Sequence, residues 1–124
     1  MAAILHDRVF DNGLTVLDTE ADKLYITSSQ ATTYTEAITT YALGVKNTPT
    51  VSAPADRTGG GREVTVSAIT DGSVTGTGTA GFYALVDSSN SRLLAAGPLS
   101  ATQSVTSGNT FTLTSFKIGI PDPA

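Results

Sequence analysis

The sequence has no cysteine and no tryptophan, and only one histidine and one methionine in 124 residues. Without cysteine there can be no disulfide, no thiol nucleophile and no thiolate-bound zinc. The single histidine, His6, precedes Asp7, the arrangement of a general base with an orienting carboxylate. No nucleophile or oxyanion motif accompanies the pair, so His6 reads as structural. Charge is also sparse, at 15% of residues, with 7 Lys and Arg against 11 Asp and Glu. A net charge of −4 supplies no basic patch to follow a phosphate backbone and no basic amphipathic run for a membrane surface. No segment approaches the ~20 apolar residues that cross a bilayer. Ile4-Leu5 is followed at once by His6-Asp7-Arg8, which does not read as a secretory signal. The chain is therefore expected not to be an enzyme, with no catalytic, cofactor-binding or metal-binding residue assigned. Nucleic acid and membrane are not expected partners.

What is abundant is threonine (21) and serine (12), on a background of 40% hydrophobic residues. The length suits one domain with a real core, and the composition suits a β-fold whose surface is polar but lightly charged. The acidity is concentrated at the start. Asp7, Asp11, Asp18, Glu20 and Asp22 are opposed only by Arg8, whereas from Lys23 onward six acids balance six bases.

Residues 1–13 read as an N-terminal arm or lead-in ending in a turn at Asp11-Asn12-Gly13. Leu14–Leu17 and Leu24–Thr27 read as strands. Thr33-Tyr-Thr-Glu36 matches a capping box that opens a short helix to about Thr39, or else a turn. Residues 46–61, with Pro49, Pro54 and Gly59-Gly60-Gly61, read as an extended arm or loop. From 62 to 120 the β pattern is regular. Val64, Val66 and Ala68 share a face, and Asp71-Gly72 signals a hairpin. Val74–Thr79 reads as an edge strand. Phe82–Val86 is apolar on both faces, as in a central strand. Arg92–Ala96 follows the turn at residues 88–91 and is expected to end at Gly97-Pro98. Ser107-Gly108-Asn109 turns into Thr110–Ser115, and the shift of apolar phase at Phe116 predicts a β-bulge. The expectation is a mainly β, single-domain antiparallel sandwich or barrel-like fold with at most one short helix.

Two motifs fail on context. Gly76-Thr-Gly78-Thr-Ala-Gly81 matches a dinucleotide fingerprint literally, but a strand-like run follows where a helix is required. Asp18-Thr-Glu20-Ala-Asp22 spaces carboxylates as a calcium loop does. However, Lys23 stands where glycine is needed, and Thr27 and Ser28 stand where the bidentate acid belongs. Arg57, Arg62 and Arg92 are candidate contacts for an acidic partner, because guanidinium binds carboxylates bidentately.

One block of sequence runs from Asp11-Asn-Gly-Leu-Thr-Val-Leu to Thr27 and on through Thr33-Tyr-Thr-Glu-Ala37 and Tyr41-Ala-Leu-Gly44. A second runs from Ala53-Pro-Ala-Asp-Arg-Thr-Gly-Gly-Gly-Arg62 through Ala84–Asp87, Arg92-Leu-Leu94 and Thr106–Thr110 to Ile120-Pro-Asp-Pro123. Together they resemble a family of small structural proteins of tailed phages and prophages. These are typically encoded beside the major capsid protein, and some look like head-decoration or cement proteins. The resemblance covers nearly the whole chain and implies no active site. It implies a virion component made in the host cytoplasm and placed on the outer capsid surface. The major capsid protein would be its partner, and self-association, as a trimer by analogy, is expected. The expected interface residues are Ile4, Leu5, Val9 and Phe10 of the lead-in, with Arg57 and Arg62 of the 46–61 region and its border. A tail-tube or tail-tip β-domain is the structural alternative. A carbohydrate-binding adhesion module is the alternative of another class, weakened by an aromatic content of 6% without tryptophan.

Overall fold

The computed structural model describes residues 7–121, with side chains from Asn12 onward. It opens on a 14-residue helix, α1 (Asp7–Glu20), where a turn at 11–13 and a strand at 14–17 were expected. Leu14 and Leu17 are both buried. Three residues apart, they share one helical face, whereas a strand would point them to opposite sides. Burial of that face outweighs the helix penalty of Gly13, about 1 kcal/mol.

The mainly β, antiparallel expectation holds, and the strands curl into a half-barrel. Among the described residues nine strands form: β1 (Lys23–Thr27), β2 (Ala42–Asn47), β3 (Ala55–Asp56), β4 (Arg62–Val66), β5 (Ile69–Val74), β6 (Gly78–Asp87), β7 (Arg92–Val105), β8 (Thr110–Leu113) and β9 (Phe116–Ile120). Six form a sheet in the order β7-β6-β1-β2-β5-β8, and three form a smaller sheet in the order β3-β4-β9. The β core thus begins at Lys23, and β1 and β2 stand at the middle of the larger sheet.

One core lies between the sheets and α1. Leu24 and Ile26 of β1, Val64 and Val66 of β4, Leu85 of β6, and Phe111 and Leu113 of β8 meet Leu14 and Leu17 of the helix there. The expected central strand is β6, flanked by β1 and β7. Its two apolar faces have separate uses. Leu85 points into the main core, while Ala84 and Val86 pack outward with Ala31, Ala37, Tyr25 and Tyr34. That outer cluster is covered by the segment ending in a π-helical turn, Glu36–Thr40. The half-barrel therefore carries two short helical elements. The Thr33 hydroxyl accepts the Glu36 N–H at 3.1 Å, as the capping box predicts. The Glu36 carboxylate reaches one residue further back than expected, accepting the Thr32 N–H at 2.9 Å and the Thr32 hydroxyl at 2.8 Å.

Several turns fall elsewhere than the sequence suggests. Asp71-Gly72 lies inside β5, opposite Phe111 on β8. Its glycine is needed for close approach, because a Cβ at Gly72 would overlap the Phe111 ring. The chain instead turns at Ser67 and Ala68, passing between sheets, and Ala68 is exposed. Residues 75–77 are a loop, not an edge strand. Gly97-Pro98 does not end β7, which continues to Val105. Proline is tolerated there because β7 is an edge strand. The phase shift at Phe116 is no bulge. It is where the chain leaves β8 in the large sheet and enters β9 in the small one.

Candidate functional site

The expected interface residues fall into two groups. Ile4 and Leu5 lie outside the described residues, as does His6. Val9 and Phe10 belong to α1 by their backbone, and their side chains are likewise outside the description. Arg57 and Arg62 come together at the β3–β4 hairpin, in the region read as an arm. That region is tied down. Val51 is buried and bridges Val66, and Ser52 is hydrogen-bonded to Thr65.

At the hairpin tip Gly59, Gly60 and Gly61 have φ of 92°, 106° and 94°. These conformations strongly disfavour any side chain, so three glycines in sequence are a requirement of the loop and not a sign of looseness. The Arg57 guanidinium donates to the Gly60 carbonyl at 3.0 Å, closing the loop on itself. Arg62 donates to Asp56 at 2.6 Å and to the Pro54 carbonyl at 3.3 Å. Both arginines therefore brace their own hairpin. Lys46 pairs with Asp71 at 2.9 Å and Lys117 with Glu63 at 3.1 Å. The third arginine, Arg92, faces Glu20 more loosely, at 3.8 Å. Much of the sparse charge is thus neutralised within the chain.

The acidic run Asp18–Asp22 does not converge. Asp18 and Glu20 are on α1, while Asp22 accepts hydrogen bonds from the Ser88 N–H at 2.9 Å and from the Ser88 hydroxyl. Partial burial would raise the Asp22 pKa, but the Ser88 hydroxyl and amide outweigh it and leave the carboxyl below its ordinary value. The pair staples the start of β1 to the β6–β7 turn. Among the described residues no group of three His, Cys, Asp or Glu is placed to hold a metal. In the Gly76–Gly81 run, Gly78 and Gly81 lie in β6, so a strand stands where a dinucleotide site would need a helix N-terminus to follow the glycines.

A cavity of about 360 Å³ lies in the fork between β7 and β8. These strands are consecutive and joined by the 106–109 turn, yet they form the two edges of the six-stranded sheet and do not pair. β7 bulges here: Phe82 pairs with Pro98 and Ala80 with Gln103, so Leu99–Thr102 stand opposite Gly81 alone. At the narrow end the Gln103 side-chain amide donates to the Thr112 carbonyl at 3.0 Å. At the wide end the rings of Tyr83 and Phe116 meet, with centroids 4.4 Å apart and tilted by 39°. Burial raises the Tyr83 hydroxyl above its ordinary pKa. The walls are Pro98–Gln103 on one side and Thr112–Phe116 on the other, and among the described residues none that lines it is charged. Sequence reading alone did not find this place. Tyr83 and Phe116 stand far apart in the chain, and no local pattern brings them together.

No family model matches the sequence, and no curated protein or solved structure matches it.

Proposed function

We propose that the chain is a structural protein of a phage virion, a capsid decoration or cement protein that binds the outside of the major capsid shell and stabilises it through non-covalent contacts. The observation that carries this reading is the sequence resemblance, which runs from Asp11 to Pro123. The physical character of the molecule supports it. Its Ser and Thr residues give the strands a polar surface of low charge, and its arginines at 57 and 62 are turned to its own backbone. Such a surface adheres by area and shape, not by a few strong ion pairs.

A cement protein must bind the assembled lattice better than free subunits, so that its binding energy adds to the stability of the shell. Many identical copies multiply a modest contact. The partners in this reading are the major capsid protein and further copies of the chain itself, as a trimer by analogy. The N-terminal residues Ile4, Leu5, Val9 and Phe10 are the proposed capsid contact.

Co-sedimentation with purified shells of the encoding phage, stripped of this protein, tests the reading. Saturable binding to shells, absent with free capsid subunits, and a higher temperature of shell disruption are expected. Binding to tails alone would instead support a tail-tube or tail-tip domain, and no binding to either would end the structural reading.

A further inference from the structure

The β7–β8 fork combines three features. An aromatic pair, Tyr83 and Phe116, forms its wide end. Neutral hydroxyl and amide side chains, among them Ser100, Thr102, Gln103 and Thr114, line its walls. Among the described residues, no charged one lines it. From these we infer that the fork is a binding site for a neutral saccharide.

The ligand class follows by elimination and by fit. Phosphates, nucleotides and metal ions need opposite charge or carboxylate ligands, and none stands among the described lining residues. A purely apolar ligand would leave the wall hydroxyls without partners once water is displaced. A neutral polyhydroxylated ring matches both parts. Its apolar C–H face suits an aromatic surface, and its hydroxyls both donate and accept, as Ser, Thr and Gln side chains do. Gln103 spends one N–H on Thr112, which leaves its second N–H and its amide oxygen for a ligand. The volume, about 360 Å³, lies at the lower end of the range of small-molecule sites.

An inserted β-strand is the competing occupant, because unpaired strand edges invite pairing. Both ends of the fork oppose it. Pro98 has no N–H to give to a ladder, and the Gln103–Thr112 bridge spans the narrow end where a strand would have to pass. A compact ligand fits between these two blocks without breaking either. The inference is independent of the capsid reading; it returns to the carbohydrate-binding alternative, with Tyr83 and Phe116 gathering two of the few aromatic rings at one place.

The test is a titration of the isotopically labelled full-length protein, followed by amide NMR. The probes are methyl glucosides, methyl galactosides, N-acetylglucosamine and disaccharides of each. The expected result is that at least one neutral sugar shifts the amides of residues 99–103 and 112–116 saturably, with phosphorylated analogues binding no better. Phe116→Leu keeps apolar bulk but removes the ring, and it should weaken binding about tenfold, with Thr114→Ala as an exposed second variant that spares the fold. If none of these sugars moves those amides, or if Phe116→Leu and Thr114→Ala both bind as the wild type does, the inference is overturned. A neutral extended peptide such as Thr-Val-Thr-Val-Thr shifting them where the sugars do not would assign the fork to a strand instead.

Discussion

Single residues in this fold carry geometric duties that their type alone does not announce. Gly60, at φ 106° between two further positive-φ glycines, is expected to cost about 1–2 kcal/mol or more when changed to alanine. Urea denaturation of Gly60→Ala measures this, and an unchanged midpoint would mean the loop relaxes freely. Thr27 poses the opposite case. It is fully buried, and no group among the described residues bonds its hydroxyl. Thr27→Val keeps the shape and removes the unpaired oxygen, so a gain of about 1 kcal/mol is expected in the same assay. Asp22 gives a pH signature. Its folded pKa lies below its ordinary value of 3.8, so the folded state binds its proton less readily than the unfolded chain. The stability this contributes is complete above 3.8 and drains away as pH falls through the lower folded value. Asp22→Asn should flatten the acid limb of the stability curve while leaving its neutral plateau lower. An acid limb of unchanged steepness would show that the Ser88 staple is not formed.

At the scale of elements, the helix α1 is the most informative difference between the sequence and the fold. Leu14-Thr-Val-Leu17 fits a short strand as well as a helical face, because four residues do not separate a period of 2 from one of 3.6. The Asn12-Gly13 turn signal then tipped the local reading the wrong way. Packing decided the matter, since only the helix lets Leu14 and Leu17 enter the core together. Leu17→Ala should therefore cost about 2–5 kcal/mol, and an effect below that range would mean that α1 is not docked as described. The strands with clean alternation, β4 and β8, were legible for the converse reason. Val64 and Val66, and Phe111 and Leu113, each repeat at two residues with one face buried. Gly97-Pro98 misled because proline ends a strand only where a ladder needs its N–H, and β7 is an edge. The 46–61 segment looked loose from composition, yet its glycines are ordered by Arg57 and its Val51 is buried.

At the scale of the whole molecule, the fold class was readable and the candidate site was not. Alternating patterns and turn spacing specify an antiparallel β-domain locally, residue by residue. The fork lies between β7 and β8, neighbours in sequence that stand at opposite edges of a six-stranded sheet. No local pattern encodes that pairing order. The function proposed is that of a lightly charged β-domain bound to the outside of a capsid shell, with its N-terminal residues among the contacts. Cryo-electron reconstruction of virions with and without the protein tests it most directly. The account predicts added density on the outer capsid at symmetry-related positions, lost when the protein is missing. Density confined to the tail, with the capsid surface unchanged, would contradict it.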